Sequence, residues 1–285
     1  MIQSMTGFGK SVLQLPTKKI TVEIKSLNSK SLDLNARIPS QYREKELALR
    51  NMISRSLTRG KVDFSIFFEI TGEETSAVIN QPVVKGYMAQ LKNIVPSADL
   101  ELLKMAVRMP DALKTEREEI DENEFSSIEK AVEQALREIN DYRSAEGNAL
   151  GEELLQRTHN IKNLLEKVIE MDPERISGVR ERLQKGVADL KENIDENRFE
   201  QELVYYIEKF DITEEKVRLD NHLNYFLENL NSEDSNGKKL GFISQEMGRE
   251  INTIGSKSNY APMQQLVVQM KDELEKIKEQ LLNVL

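Results

Sequence analysis

The 285-residue sequence contains no cysteine, only two histidines and no apolar run as long as 18 residues. Without cysteine there are no disulfides, no cysteine-ligated zinc and no thiol nucleophile, so any metal must rest on oxygen or imidazole ligands. The lack of a long apolar run argues against a transmembrane helix. The N-terminus also lacks the basic and apolar regions of a signal peptide. We therefore expect a cytoplasmic protein.

Positive charge is scarce overall but concentrated in two segments. The formal net charge is −9, which argues against a nucleic-acid partner because phosphate binding depends on Lys and Arg. Residues 18–61, however, hold eleven Lys or Arg against four Asp or Glu, a net of +7, and residues 236–258 hold four against two, a net of +2. Residues 62–235 hold 21 against 39. This asymmetry favours a polyanion site on part of the molecule, although cations that only decorate exposed strands and helices would give the same count.

The first 80 residues have the pattern of an α/β region. Apolar and polar residues alternate, with the period of half-buried strands, in residues 20–25, 32–37 and 62–68. We predict a turn at residues 27–29 between the first two strands. A helical pattern fills residues 41–57 and should stop at Gly60, because a glycine past the last turn is the usual end signal.

From residue 81 onward the apolar spacing is helical almost throughout. Asp172 followed by Pro173 predicts the start of a new helix, and Asp211 with Glu214 resembles a capping box for another. The predicted fold class is therefore α+β, with a small N-terminal mixed β-sheet and helix followed by a mainly α-helical body with long helices. We place the N-terminal region at residues 1–155, with its α/β part in 1–80, and the helical C-terminal region at 156–285.

Residues 237–258, GKKLGFISQEMGREINTIGSKS, carry many charged and polar groups on few helical turns. Glu246 and Glu250 lie one turn apart with Arg249 beside them. Salt bridges on a solvated helix face would explain this pattern. A carboxylate pair that holds a divalent cation would also explain it, with Arg249 and Lys257 gripping a phosphate. Gly255 predicts a sharp backbone turn after the helix.

The preceding helix carries further candidates. Glu215, Arg218 and His222 fall at positions i, i+3 and i+7 and predict one stripe, whereas Val217 is expected on a buried face. His222 alone has the pattern of a surface or packing residue, and His159, the other histidine, is interpreted as structural. An antiparallel helix pair would bring His222 near Glu246 and Glu250.

Longer runs of the sequence resemble the YicC/YloC family of bacterial proteins. The matching runs follow in order along nearly the whole chain: MIQSMTGFG at the N-terminus, VEIKSLNSKSLDLNARIP (22–39), LTRGKV (57–62), SAEGNAL (144–150), RFEQELV (198–204), EKFDITEEKVRLDNHL (208–223), QE-x-x-RE-x-NT-x-x-SKS (245–258) and KDELEKIKEQLLN (271–283). Departures are few. Gly241 stands where the family usually has Asp, and Lys25 and Lys30 stand where arginine is common, which keeps the charge but loses bidentate phosphate geometry.

The resemblance implies a single-strand-specific endoribonuclease that requires a divalent metal cation, Mn²⁺ or Mg²⁺. It also implies a ring-like homo-oligomer, expected to be a hexamer, and small-RNA turnover as a cellular role. The alternative is a non-catalytic oligomeric ring that binds RNA and presents it to another nuclease. We assign catalysis to Glu246, Glu250, His222 and Arg249. We assign metal binding to Glu246, Glu250, His222 and Glu215. We assign RNA binding to Lys25, Lys30, Arg37, Arg59, Lys61, Arg249 and Lys257.

Overall fold

The computed structural model describes residues 2–71, 78–96, 98–114, 121–189, 196–232 and 236–285, with the backbone alone for residues 114, 187–189 and 196–198. The strands are β1 (Gly7–Gln14), β2 (Lys18–Leu27), β3 (Leu32–Arg37), β4 (Gly60–Ile70), β5 (Val78–Ile79) and β6 (Leu113–Lys114). The α-helices are α1 (Glu46–Ser56), α2 (Gln81–Ile94), α3 (Asp99–Ala106), α4 (Glu122–Asp189), α5 (Glu196–Phe210), α6 (Thr213–Leu230), α7 (Gly237–Lys257) and α8 (Ala261–Leu281). The predicted α+β fold class is confirmed.

The chain divides into two compact units. One, here called the sheet unit, comprises Phe8–Ser26 and Ser31–Ile139. The other, here called the helical unit, comprises Met1–Gly7, Leu27–Lys30 and Asn140–Leu285. Each unit takes its residues from more than one stretch of sequence. The boundary near residue 155 stays a prediction.

The main sheet has the strand order β1-β2-β4-β3. β3 and β4 are parallel, with Leu32 opposite Gly60, and α1 makes the crossover that parallel neighbours require. The amide of Thr71 donates to the carbonyl oxygen of Thr17, so the end of β4 lies beside the start of β2 and these strands are antiparallel. Residues 27–29 therefore do not join neighbouring strands. Alternation predicted the strands correctly but carries no information on their order.

One face of this sheet is covered by α1 and by the Glu122–Ile139 part of α4. Gly9 shows how closely β1 approaches that cover, because a Cβ atom there would lie 2.0 Å from the carbonyl oxygen of Ala135. Gly60, the first residue of β4, has a φ of 128°, a conformation that favours glycine. The preceding helix already ends at Ser56, with Leu57 as its C-cap, so Gly60 is not its end signal. The buried core of the sheet unit includes Ile20, Val22, Ile24, Leu49, Ile53, Val62, Phe64, Ile128, Val132 and Ile139.

The helical unit has its own core, which α4, α6, α7 and α8 share. Its buried residues include Leu154, Ile161, Leu165, Leu219, Leu223, Phe226, Met247, Ile251, Ile254, Met263, Val267, Met270 and Ile277. The segment before β1 pairs with the residues after α8, since the amide of Met5 donates to the carbonyl of Asn283 and the amide of Leu285 to that of Gln3.

The helix start predicted at Asp172 is wrong. α4 runs through Pro173 without a break, and Asp172 acts inside the helix, where its carboxylate contacts Arg175 at 2.7 Å and Lys216 at 2.6 Å. Arg175 also donates to the carbonyl oxygen of Phe210 at 2.8 Å. These contacts to the α5–α6 region are absent from the local pattern, which is why Asp-Pro suggested a cap.

The helical pattern expected from residue 81 is also interrupted by a strand. β6 pairs antiparallel with β5, with Leu113 opposite Ile79. In the sequence, α2 and α3 lie between β5 and β6. A small core of Val84, Ala106 and Ala112 forms in this region. Across the described ranges, no helix is long and apolar enough to cross a membrane.

Candidate active site

The candidate site lies on the helices α6 and α7. They are antiparallel, because Glu215 near the start of α6 contacts Lys257 at the end of α7. Asp211 accepts hydrogen bonds from the hydroxyl and the amide of Thr213 at 2.7 and 2.9 Å. These bonds hold the pKa of Asp211 below its usual value. They lie just before α6, whose N-cap residue is Ile212 and has no side-chain cap hydrogen bond, so the predicted capping box does not form. Glu214, the expected second half of the capping box, pairs with Arg218 instead.

The buried side of α7 consists largely of residues that the sequence motif leaves unspecified. Met247, Ile251 and Ile254 are fully buried. Cβ atoms added at Gly248 and Gly255 would lie 3.2 Å from Leu274 and 3.0 Å from Val267 of α8 respectively. The two glycines, two helical turns apart, therefore let α8 lie close against α7. The turn predicted at Gly255 is wrong, because α7 continues to Lys257.

Glu246 and Arg249 form the exposed ion pair that the simpler interpretation of the motif predicted. Their charged atoms are 2.9 Å apart, and the side chains are 40% and 73% exposed respectively. Pairs of this kind are worth at most about 0.5 kcal/mol on a helix surface. Stability alone gives little reason for their presence.

Glu250, one turn after Glu246, has a different environment. The residue is only 8% exposed. Within the described residues, no hydrogen bond or ion pair reaches its carboxyl group. Its carboxylate oxygens are nevertheless not fully buried, so they can reach solvent or a ligand. Glu250 therefore takes no part in the row of salt bridges that the simpler interpretation of the motif predicted.

Glu215 lies on the buried face of α6, whereas Arg218, predicted on the same stripe, is exposed. Glu215 is 5% exposed, whereas Val217, which was expected to be buried, is 58% exposed. One carboxylate oxygen of Glu215 contacts Lys257 at 2.7 Å, and the other is buried without a partner. The 42 residues between the partners explain why local spacing did not reveal this pair.

His222 is half-buried on α6. It lies seven residues after Glu215, and Glu250 lies seven residues before Lys257. In an antiparallel pair with Glu215 beside Lys257, His222 and Glu250 are therefore at the same level, about 10 Å along the helices from that ion pair. No hydrogen bond joins them in the part of the chain that the structure describes.

These residues suit a cation for which the protein supplies only some of the ligands. No group of three or more His, Asp or Glu side chains in the described ranges is arranged to hold a metal ion, and Glu215 is engaged by Lys257. Mg²⁺, however, is commonly bound through one or two carboxylates, with water and substrate phosphates completing its octahedron. Glu250, whose carboxylate has no partner within the described residues and is not fully buried, and Glu246, one turn away, fit an open site of that kind.

A buried ionic network next to the start of α6 was not predicted from the sequence. Asp172 bridges Arg175 and Lys216, and the guanidinium of Arg175 is fully buried with its Nη1 atom unsatisfied. Lys216 directly follows Glu215. The three-residue spacing of Asp172 and Arg175 is a signal for ion pairing on a helix, but Lys216 lies too far along the chain to be recognised as a partner.

The predicted RNA-binding cations of the N-terminal segment do not all lie on one surface. Lys25, Arg37 and Lys61 are exposed on strands of the sheet unit, whereas Arg59 is half-buried between α1 and β4. Lys30 is exposed and belongs to the helical unit. The alternation of each strand places Lys25, Arg37 and Lys61 on the sheet face away from the helices. Two exposed aromatic residues on that face, Phe8 and Phe67, were not singled out from the sequence.

Known proteins match this sequence along its whole length. Residues 2–152 match the family model described as "Endoribonuclease YicC-like, N-terminal region", and residues 168–285 match "Endoribonuclease YicC-like, C-terminal". A protein named "Probable endoribonuclease YicC" from Clostridioides difficile (strain 630) is 36% identical over 292 residues, and both chains are fully covered. A protein of the same name from Haemophilus influenzae is 29% identical over 287 residues, again with full coverage of both. The chain belongs to the YicC-like endoribonuclease family.

Proposed function

We propose that this protein is an endoribonuclease that cleaves single-stranded RNA at the α6–α7 site with the help of a divalent cation, Mn²⁺ or Mg²⁺. The observation that carries the proposal is Glu250, whose carboxylate has no hydrogen bond or ion pair within the described residues and lies one turn from Glu246 on the same helix. The names of the relatives support the reaction class. We propose the cytoplasm as its location and small-RNA turnover as its role.

Glu246 and Glu250 would hold the cation, because hard cations prefer carboxylate oxygens. When bound, the cation would activate water and neutralise charge that develops on the phosphate. The ion pair with Glu246 restrains Arg249, whose guanidinium is exposed enough to bind the same phosphate through two parallel hydrogen bonds.

His222 and Lys257 would act on either side of the reacting phosphate. The imidazole of His222, at the level of Glu250, is suited to take or return a proton at an oxygen of the phosphodiester. Lys257 is held by Glu215 about 10 Å away along the helices, so we assign it to a neighbouring phosphate of the RNA. Glu215 would position Lys257, and its own assignment as a metal ligand stays a prediction.

Exposed apolar side chains on the helical unit support the proposal that the protein forms a ring-like homo-oligomer, with a hexamer as the expected form. Val217 of α6, Phe242 of α7 and Val268 of α8 are 58%, 68% and 64% exposed, and contact with other subunits would bury them. Light scattering at micromolar concentration should give a mass above that of a dimer. A monomeric mass would contradict this part of the proposal.

Incubation of the purified protein with a fluorescently labelled single-stranded RNA tests the activity directly. We expect internal cleavage with added Mn²⁺ or Mg²⁺ and none in EDTA, and little cleavage of the same RNA annealed to its complement. Binding without cleavage under every metal condition would support the alternative, a ring that presents RNA to another nuclease. Cleavage that persists in EDTA would rule out the cation.

A further inference from the structure

The sheet of the sheet unit has one face covered by helices and one face open to solvent. On the open face, Phe8 of β1 and Phe67 of β4 are 42% and 52% exposed. Large aromatic side chains usually bury most of their area. Two of them on one open sheet face therefore require an explanation.

Cross-strand contacts define which side chains share the open face. The ammonium of Lys25 lies 5.4 Å from the centre of the Phe8 ring, a cation–π arrangement. Lys10 contacts Glu23 at 3.1 Å on the same pair of strands. At the opposite edge, Asn35 of β3 donates to Asp63 of β4 at 2.9 Å. Since side chains alternate between faces, Phe67 lies on the same face as Asp63.

The backbone of β1 fixes the outward position of Phe8. A side chain at Gly9 would collide with the backbone of Ala135 in α4, so only glycine fits on the covered side at that point. The neighbouring Phe8 must then point to the open side. The GFG part of the N-terminal sequence run thus combines close packing on one face with a presented aromatic ring on the other.

The two rings do not form a continuous apolar patch. Phe8 and Phe67 are separated by two strand spacings and by four residues along the strand direction, roughly 16 Å in all. Polar and charged side chains, among them Thr21 and Glu23, lie between them. Val12 of β1 and Leu27 of β2 are also exposed on this face, at 51% and 57%. Protein interfaces bury contiguous apolar area at their centre, whereas the apolar side chains of this face are interspersed with polar ones.

Cations surround the rings. The open face carries Lys10, Lys19, Lys25, Arg37 and Lys61 against the acids Glu23, Asp33, Asp63 and Glu69. The hydrogen bond from Lys10 lowers the pKa of Glu23, and this carboxylate also lies 3.5 Å from Lys25. Asp63 is occupied by Asn35. Arg37 and Lys61 remain exposed at the β3–β4 edge, where they can meet a phosphate.

We propose that the open face of this sheet is a stacking platform for single-stranded RNA, with Phe8 and Phe67 stacking on two bases and Lys25, Arg37 and Lys61 binding phosphates. Exposed aromatic residues on a helix-backed sheet are a general means of holding unpaired bases, and any base can stack on them. The inference rests on the proposed ribonuclease function, since it assigns the platform to the same substrate. It explains a preference for single strands, because paired bases present no free face.

The test measures the affinity of the full-length protein for a fluorescein-labelled twelve-nucleotide oligouridylate in EDTA at several salt concentrations. Phe8→Ala and Phe67→Ala should each weaken binding by about fivefold or more, since one stacked base is worth about 1 to 3 kcal/mol. Phe8→Trp and Phe67→Trp should retain most of the affinity. Phe68→Ala is the matched control, because Phe68 is 37% exposed but lies on the other face of β4 and should leave binding unchanged.

Salt dependence separates stacking from charge. The phenylalanine variants should keep the wild-type salt slope, whereas Arg37→Gln and Lys61→Gln should each lower it by about 0.7 units, the value for one phosphate on a single strand. Wild-type affinity in the Phe8→Ala/Phe67→Ala variant would overturn the platform. So would a change in oligomer mass without a loss of affinity, which would identify the face as a contact between copies of the chain. If the wild type neither binds nor cleaves RNA, the proposed function itself fails. If the wild type cleaves while the phenylalanine variants bind normally, only the platform fails.

Discussion

The α6–α7 site and the open face of the sheet present unusual side chains in opposite ways. In the helix pair, the carboxyl group of Glu215, which belongs in water, is buried with its Oε2 atom unpartnered. On the sheet, the rings of Phe8 and Phe67, which belong in a core, are exposed. Both arrangements cost free energy in the isolated chain. The comparison teaches that a chemical site is best sought among buried polar groups, and a binding surface among exposed aromatic ones.

The largest effect should follow from the loss of both carboxylates of the helix pair. Glu246→Gln with Glu250→Gln keeps the size of the side chains but removes the hard oxygen ligands. RNA cleavage should fall at least about a hundredfold, roughly 2.7 kcal/mol of transition-state stabilisation, while oligouridylate binding on the sheet face persists. Rates under single-turnover conditions measure the change.

Glu228→Gln with Glu279→Gln is the control for this experiment, because both residues are exposed on α6 and α8 of the same unit. It should cleave at the wild-type rate. Full activity of the Glu246→Gln/Glu250→Gln variant would place catalysis elsewhere, and the α6–α7 site would no longer be the candidate chemical site.

The sheet should be most sensitive where β1 meets α4. Gly9→Ala places a Cβ atom 2.0 Å from the carbonyl oxygen of Ala135, so strand and helix must separate at a cost of about 2 kcal/mol. Urea unfolding measures this loss, and RNA affinity should fall with it because Phe8 moves. Gly241→Ala, with no atom within 4 Å of its added Cβ, should instead stabilise α7 by about 0.5 to 1 kcal/mol. Equal effects of the two changes would contradict the packing argument.

Lys257→Met tests the buried ion pair of the helix site. Removal of one partner leaves the Glu215 carboxylate buried without its cation. Because Lys257 is one-third exposed, we expect about 1.5 kcal/mol of destabilisation, less than the 3 to 5 kcal/mol for fully buried pairs. A second change, Glu215→Leu, should restore most of the lost stability.

Arg218→Met removes a fully surface-exposed pair with Glu214 and serves as the control. It should change the free energy of unfolding by less than about 0.5 kcal/mol. If Lys257→Met is equally mild, burial does not distinguish the two pairs, and Glu215 loses its assigned role in positioning Lys257.

The smallest effect concerns the start of α6. Asp211→Ala should cost about 1 kcal/mol at pH 7, because it removes the hydrogen bonds that Thr213 donates to the carboxylate. The folded pKa of Asp211 is lowered by its bonds to Thr213, so its contribution is complete above the ordinary value of 3.8. That contribution disappears as the pH falls through the lowered pKa. Urea unfolding at several pH values should therefore show the difference from wild type shrinking below about pH 4.

Asp211→Asn keeps the hydrogen-bond acceptor but cannot ionise. It should stay close to wild type at pH 7 and show a weaker pH dependence. If the free energies of unfolding of wild type and Asp211→Ala differ by the same amount at every pH, packing and not the ionised carboxylate of Asp211 accounts for the loss.

Local pattern predicted much of the fold and little of the site's geometry. Alternation identified β2, β3 and β4, but β1 escaped because Gly7 and Gly9 interrupt the apolar pattern. The burial of Glu215 depends on Lys257, and the continuity of α4 at Pro173 accompanies contacts with Phe210 and Lys216. Such contacts join residues distant in sequence, and helical spacing contains no information about them. The assignments of Glu246, Glu250, His222 and Arg249 to catalysis stay predictions.

The two glycines of α7 also affect how the family motif should be used. The pattern QE-x-x-RE-x-NT-x-x-SKS treats the positions of Gly248 and Gly255 as free, yet a Cβ atom at either position would lie within 3.2 Å of a side chain of α8. A search or design that fixes only the polar residues would admit sequences whose larger side chains push α8 away. The carboxylates would then lie on a helix whose packing against α8 is altered. The two glycine positions that the motif leaves unspecified therefore affect whether its charged residues can function.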